Sequence, residues 1–160
     1  VPHGHRRAPR IYADTSVFGG CFDDEFRQHS QRFFGLVRRG RVILLISEVV
    51  ESELIPAPMH IRQLRASIPR AHVRGVEITN KVRQLRDAYL ASRVLGYRSI
   101  DDATHVAAAS VSRASAIVSW NFKHIVSIDR VRGYNRVNRE LGYGPVTILT
   151  PQSVLPDEEA

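Results

Sequence analysis

Short apolar runs alternate with amphipathic stretches along the chain. Ile11-Tyr12-Ala13 predicts a strand that runs straight into the polar Asp14-Thr15-Ser16, after which Gly19-Gly20 breaks the chain. Residues 23–38 predict a helix, because Phe22, Phe26, Phe33 and Val37 fall near one face, and Gly40 ends it. Residues 42–46 are continuously apolar and rich in β-branched side chains, which suits a strand covered on both faces. Ser47 can cap a helix over 48–54 that Pro56 and Pro58 stop. A short helix over 60–68 ends at Pro69. A longer one over 77–95 carries Ile78, Val82, Leu85 and Tyr89 at spacings of four, three and four, and Gly96 closes it. Residues 101–113 predict another helix, with Ala103, Val106, Ala107 and Val111 on its apolar side. A strand over 116–119 follows. The polar stretch 129–141, interrupted by Gly133, reads as partly helical, and a last strand over 146–149 lies between Pro145 and Pro151.

Strands thus alternate with helices, and no segment carries a hairpin signature. The fold class this predicts is α/β, with a central mostly parallel sheet and helices on both faces. Residues 10–155 are read as a single domain, 1–9 as a basic N-terminal extension and 156–160 as a frayed, acidic C-terminal tail. The 160 residues suit one core. The longest apolar run is far too short to span a bilayer, and the basic N-terminus leads into no apolar segment of the secretory kind. A lone cysteine, Cys21, rules out an internal disulfide and a thiolate zinc cluster, and fits a reducing cytoplasm.

Charge sharpens the picture. Lys and Arg total 23 against 16 Asp and Glu, a net +7 that favours a polyanionic partner. Arg38, Arg39 and Arg41 make the densest basic cluster, at a helix end where the dipole also favours cations. Against this basic background, several acids fall where ligands bind in open α/β sheets, beyond the carboxyl ends of strands. Asp14 follows the first strand, where its burial requires compensation by a cation or by a capping role beside Thr15 and Ser16. Glu53 lies in a helix with Glu48 and Glu51, and periodicity alone does not choose among the three. Asp101 and Asp102 open a helix, where capping and the dipole favour acids whatever the function. Ser119 and Asn121 follow the third predicted strand, with Lys123 and His124 beside them. As a set, such carboxylates suit Mg²⁺ or Mn²⁺, which take oxygen ligands and activate water.

The segments Tyr12-Ala13-Asp14-Thr15-Ser16-Val17-Phe18, Ser47 to Leu54, Asp102-Ala103-Thr104-His105-Val106-Ala107-Ala108-Ala109 and Ser119-Trp120-Asn121-Phe122-Lys123-His124 resemble the PIN-domain family, in its order and at suitable separations. The likeness runs from Arg10 to Leu155 and is closest to small bacterial toxin-type PIN ribonucleases. It implies a three-layer PIN-like fold and a divalent-metal-dependent endoribonuclease of the cytoplasm, the toxin of a type II toxin–antitoxin pair. Asp14, Glu53 and Asp102 would hold Mg²⁺ or Mn²⁺, Asn121 would complete the catalytic set, and Thr15, Ser16 and Ser119 would support it. RNA contacts would come from Lys123, His124, Arg38, Arg39, Arg41 and Arg130. The implied partners are RNA, a cognate antitoxin and a second copy of the chain, with no membrane. Asn121 stands where many members carry a fourth aspartate, which removes one charge. The alternative expectation is therefore a PIN-like module, catalytically weak or inactive, that binds RNA or protein.

Overall fold

The computed structural model describes residues 7–92 and 99–154. A five-stranded sheet forms the central layer, in the order β3-β2-β1-β4-β5, and every pairing in it is parallel. The strands are β1 (Arg10–Ala13), β2 (Ile43–Ser47), β3 (Val73–Val76), β4 (Ala116–Val118) and β5 (Ile148–Leu149). Helices cover both faces: α1 (Thr15–Gly20), α2 (Arg27–Arg38), α3 (Glu48–Leu54), α4 (Met59–Ala66), α5 (Asn80–Ala91), α6 (Ile100–Val111) and α7 (Ile128–Glu140). This is the α/β class that the alternating pattern predicts. Among the described residues no helix is long and apolar enough to cross a membrane.

Apart from Arg10 and Ser47 at their ends, the central strands β1, β2 and β4 are apolar because both their faces are covered. Tyr12, Leu44, Leu45 and Ile117 are fully buried. Phe18, Phe34 and Phe33 extend this core on one side, with ring centroids 4.8 and 5.3 Å apart. Ser47 caps α3 as its sequence suggests, accepting the Val50 amide at 3.3 Å. Thr79 caps α5 in the same way, through Val82, so that helix starts three residues later than the apolar spacing alone implies. The Leu95 and Gly96 end assigned to it lies outside the described residues, as do residues 1–6 of the basic extension and the acidic tail.

Three elements depart from the expectation. Residues 15–20 form a short helix despite Gly19-Gly20. Gly20 is required by contact: a Cβ there would lie 2.5 Å from Ser30 Oγ and 2.7 Å from Trp120 Nε1. Val73–Val76 is a strand at the sheet edge, paired with β2, where no strand was expected. The polar stretch around Gly133 is a complete helix, α7, which buries Gly133, Tyr134, Val137 and Asn138 and turns its arginines outward.

The topology creates the place for a site. The chain builds outward from β1 to β3 and then crosses back to add β4 on the other side of β1. Between β1 and β4 the connections diverge, leaving a crevice at the carboxyl ends of these two strands. Asp14 and Ser119 are the first residues beyond those ends.

Candidate functional site: a charge-compensated acidic cleft beside a basic groove

Asp14, Glu53, Asp102 and Asn121 do come together. With Thr15, Ser16, Asp101 and His105 they line one cleft of about 330 Å³. The fold delivers them from separate elements: Asp14 from the β1–α1 junction, Glu53 from α3, Asp102 from the first turn of α6 and Asn121 from the loop after β4.

Each carboxylate is already held by the chain. Asp14 is only 4% exposed. Its Oδ1 accepts from Ser16 Oγ at 2.5 Å and its Oδ2 from Ser119 Oγ at 2.6 Å. Those hydroxyls are themselves fixed, since Ser16 Oγ accepts the Trp120 amide and Ser119 Oγ accepts the Asn121 amide, both at 2.9 Å. Asp102 Oδ1 accepts from Asn121 Nδ2 at 2.9 Å, while Asn121 Oδ1 accepts the His124 amide at 3.0 Å. Asn121 therefore ties the β4 loop to α6, and its amide donor serves there where an aspartate would supply only acceptors.

Glu53 is held by His105, with Oε1 3.1 Å from Nε2. The other ring nitrogen, Nδ1, lies 2.6 Å from Tyr12 OH, which in turn lies 2.7 Å from Ser47 Oγ. A buried line of Ser47, Tyr12, His105 and Glu53 thus crosses from β2 through β1 to α6 and α3. Burial disfavours the charged imidazolium, but the Glu53 bond and the charges of Asp14, Glu53 and Asp102 outweigh it, so the pKa of His105 is raised. Burial pushes the carboxyl of Asp14 up, against the opposing pull of His105, Ser119 and Ser16. Asp102 is raised too, by burial first and by Asp14 and Asp101 in addition. Glu53 goes the other way: burial works against its charge, yet the His105 contact holds its carboxyl below the usual value.

These contacts correct the metal-centred expectation. Among the described residues no group of three or more His, Cys, Asp or Glu is arranged to hold a metal ion. The physical reason lies in the hydrogen bonds. Both oxygens of Asp14, one of Asp102 and one of Glu53 are engaged by serine hydroxyls, an amide and an imidazole, so these acids are held by the chain itself. The basic group facing these acids is His105, whose pKa they raise. The expectation of Asp14, Glu53 and Asp102 as ligands of Mg²⁺ or Mn²⁺, of a metal-dependent ribonuclease and of the toxin activity that would follow from it is thus overturned: the donor set does not fit the ion. His105 lies within the segment from Asp102 to Ala109, where the resemblance assigns it no role. The available signal was its position three residues after Asp102 on one helix, a spacing that places both on the same face.

The remaining predicted contacts divide into two places. Lys123 and Arg130 line a groove of about 770 Å³ with Ser127, Asp129, Arg132, Gly133, Arg136 and Arg139, on the outer side of α7. Arg132, Arg136 and Arg139 follow one another at four and three residues, so they share a face. Phe122, 52% exposed, stands next to Lys123 and packs 6.2 Å from both Trp120 and Phe26. His124 is half-buried in the same loop, its carbonyl accepting from Tyr134 OH at 2.8 Å. By contrast, Arg38 closes α2 and donates to Ser67 Oγ, and Arg39 and Arg41 flank the turn into β2. Because the strands are parallel, the Arg39 to Arg41 turn lies at their amino ends, on the opposite rim from the acidic cleft.

No family model matches this chain, and no curated protein matches it.

Proposed function

We propose that this chain is a PIN-like binding module that holds single-stranded RNA without cutting it. The observation that carries the reading is the α7 groove. Five cations, Lys123, Arg130, Arg132, Arg136 and Arg139, line it against one acid, Asp129. Such a track suits a phosphate backbone, and its sequence-independent attraction weakens with added salt, which reduces the gain from releasing the counterions that the cations displace. Along a helix rising about 1.5 Å per residue, Arg132 to Arg139 covers roughly 10 Å, enough for more than one phosphate. Exposed Phe122 beside Lys123 offers the flat apolar surface on which an unpaired base stacks. The acidic cleft next to it repels phosphate and so confines the strand to the α7 side. The PIN likeness itself rests on the order of Asp14, Glu53, Asp102 and Asn121 and on their meeting in one cleft of a parallel α/β fold.

A fluorescein-labelled oligoribonucleotide of ten residues, followed by anisotropy over a series of salt concentrations, tests this. Binding is expected to weaken steeply with salt. The double substitution Arg132→Glu and Arg136→Glu should weaken it at least about tenfold and flatten the salt slope. Phe122→Ala should cost about 1–3 kcal/mol while leaving the slope unchanged. Affinity indifferent to salt and to the double reversal would refute the assignment.

A further inference from the structure

The edge of the sheet away from β5 carries a second surface of opposite character. β3 is the terminal strand, so the side turned away from β2 has no strand partner within the sheet. Beside it a groove of about 630 Å³ opens between β3, the end of α3 and α4. Its floor is apolar: Ile46 from β2, Val73 and Val76 from β3, and Ile55, which is 73% exposed. Gly75 pairs with Ile46, and a Cβ built on Gly75 would meet nothing within 4 Å. The missing side chain therefore leaves a gap directly over the apolar floor. A glycine inside a strand is a place where another chain can approach closely.

The rim is acidic. Glu48, Glu51 and Glu77 line the groove against the single cation Arg65, on a chain whose net charge is +7. Two of these contacts are structural: Glu48 Oε2 accepts the Ile78 amide at 2.9 Å, and Glu51 pairs with Arg65 at 2.7 Å. Negative charge is thus built into the groove and stays there when it is filled. A nucleic acid would be repelled by this rim, and a second copy of this basic chain is the competing occupant that sedimentation velocity distinguishes.

We propose that β3 and this groove receive an extended segment of a partner protein that alternates apolar with Lys or Arg residues. The segment would add a strand to β3, with main-chain hydrogen bonds along the open edge. Its side chains on the groove face would enter the gap at Gly75, and its basic residues would meet Glu51 and Glu77. The strand edge supplies affinity, the gap fixes register, and the acidic rim selects a basic segment over an acidic one.

The probe is the acetylated and amidated peptide Lys-Val-Arg-Leu-Lys-Val-Arg, compared with the same peptide bearing Glu at every basic position. Binding to the full chain is read by anisotropy and by backbone amide shifts of β3 in NMR spectra. The basic peptide should bind and shift the amides of Val73 to Glu77, while the acidic one should not. Gly75→Leu fills the gap without meeting another atom at its Cβ and should weaken binding at least about tenfold. Glu77→Lys, at an exposed position, should weaken it about fivefold or more. Both variants should keep the wild-type circular dichroism spectrum. Failure of the basic peptide to bind at millimolar concentration, equal binding of the acidic peptide, or wild-type affinity in Gly75→Leu would each overturn the proposal. So would concentration-dependent self-association in sedimentation velocity that Gly75→Leu abolishes, because the groove would then belong to a second copy.

Discussion

Replacing His105 by Gln removes the one basic side chain that lines the acidic cleft. Three losses follow from the geometry. Tyr12 OH, fully buried, loses its 2.6 Å partner at Nδ1 but keeps Ser47 Oγ at 2.7 Å, so the loss there is that of one hydrogen bond, about 0.5–1.5 kcal/mol. Glu53 loses its imidazole partner, but its side chain is 32% exposed, so water recovers part of that interaction. Asp14, almost wholly buried, loses the charge that most opposes its desolvation. Breaking a fully buried pair costs about 3–5 kcal/mol. With the exposure of Glu53 discounted, the expected destabilisation is about 2–4 kcal/mol. A chain of this size loses roughly 2–4 °C of melting temperature per kcal/mol.

The pH dependence identifies the cause. His105 has a folded-state pKa above its ordinary 6.5. Its charge therefore contributes stability that is fully present below 6.5 and fades as pH rises through the folded value. Urea unfolding of the wild type and His105→Gln at a series of pH values from 5.5 to 9 measures the difference. The gap between the two proteins should be widest at the acid end of that range and narrow above the folded pKa. A penalty below about 1 kcal/mol, or one that does not change with pH, would refute the view that an imidazolium holds these acids together.

Asp14 gives the same sign of pH dependence. Its folded pKa is raised above 3.8, so its contribution is present below that value and is lost as pH rises through the folded pKa. Asp14→Asn should therefore raise the melting temperature more at pH 8 than at pH 4, as scanning fluorimetry can show, and the reverse order would contradict the burial argument. Gly20→Ala drives a methyl group against Ser30 Oγ and Trp120 Nε1, which are joined by a 2.8 Å bond; it should destabilise by about 1–3 kcal/mol and red-shift the Trp120 fluorescence. Asn138 is fully buried, binding Tyr89 OH through its oxygen and Ser110 Oγ and the Gly144 carbonyl through its nitrogen. Asn138→Leu should cost at least about 2 kcal/mol in chemical denaturation. Burial pushes the Cys21 thiol up to about 11, so at pH 8 it should react with a disulfide reagent only after unfolding.

The sequence made visible what local chemistry decides. Ser47 before an apolar turn marks the start of α3, and the continuous run at 43–46 marks a strand buried on both faces. Asp14 and Ser119 stand at strand ends, and the parallel topology then brings them together. Elements that depend on neighbours were less legible. Val73-Arg74-Gly75-Val76 becomes a strand only because β2 offers it a ladder, and its glycine speaks against a strand until the groove beside it is seen. The six residues of α1 end in two glycines, and Gly20 is selected by the approach of Trp120 rather than by helix propensity. In α7 the buried positions 133, 134, 137 and 138 include a glycine and an asparagine, so apolar periodicity hardly registers.

The acids illustrate the same limit. Their spacing shows that they can share a cleft, but not which way their oxygens turn. That orientation is set by Ser16, Ser119, Asn121 and His105, four partners contributed by three separate segments. A pattern that resembles a metal-binding set in the sequence is, in the folded chain, a hydrogen-bonded network with its own internal base, His105. Asn121 likewise reads as a missing charge in one dimension and as a donor to Asp102 in three.

The account turns on whether RNA is held at the α7 groove independently of a divalent ion. An end-labelled ten-residue oligoribonucleotide incubated with the protein in EDTA, in Mg²⁺ and in Mn²⁺, and resolved on native and denaturing gels, answers this in one set of tubes. The same fraction should be bound in EDTA as in either metal at matched ionic strength, with the RNA at full length throughout. Cleavage that requires the metal and disappears in Asp14→Asn, or binding seen only when the ion is present, would contradict it.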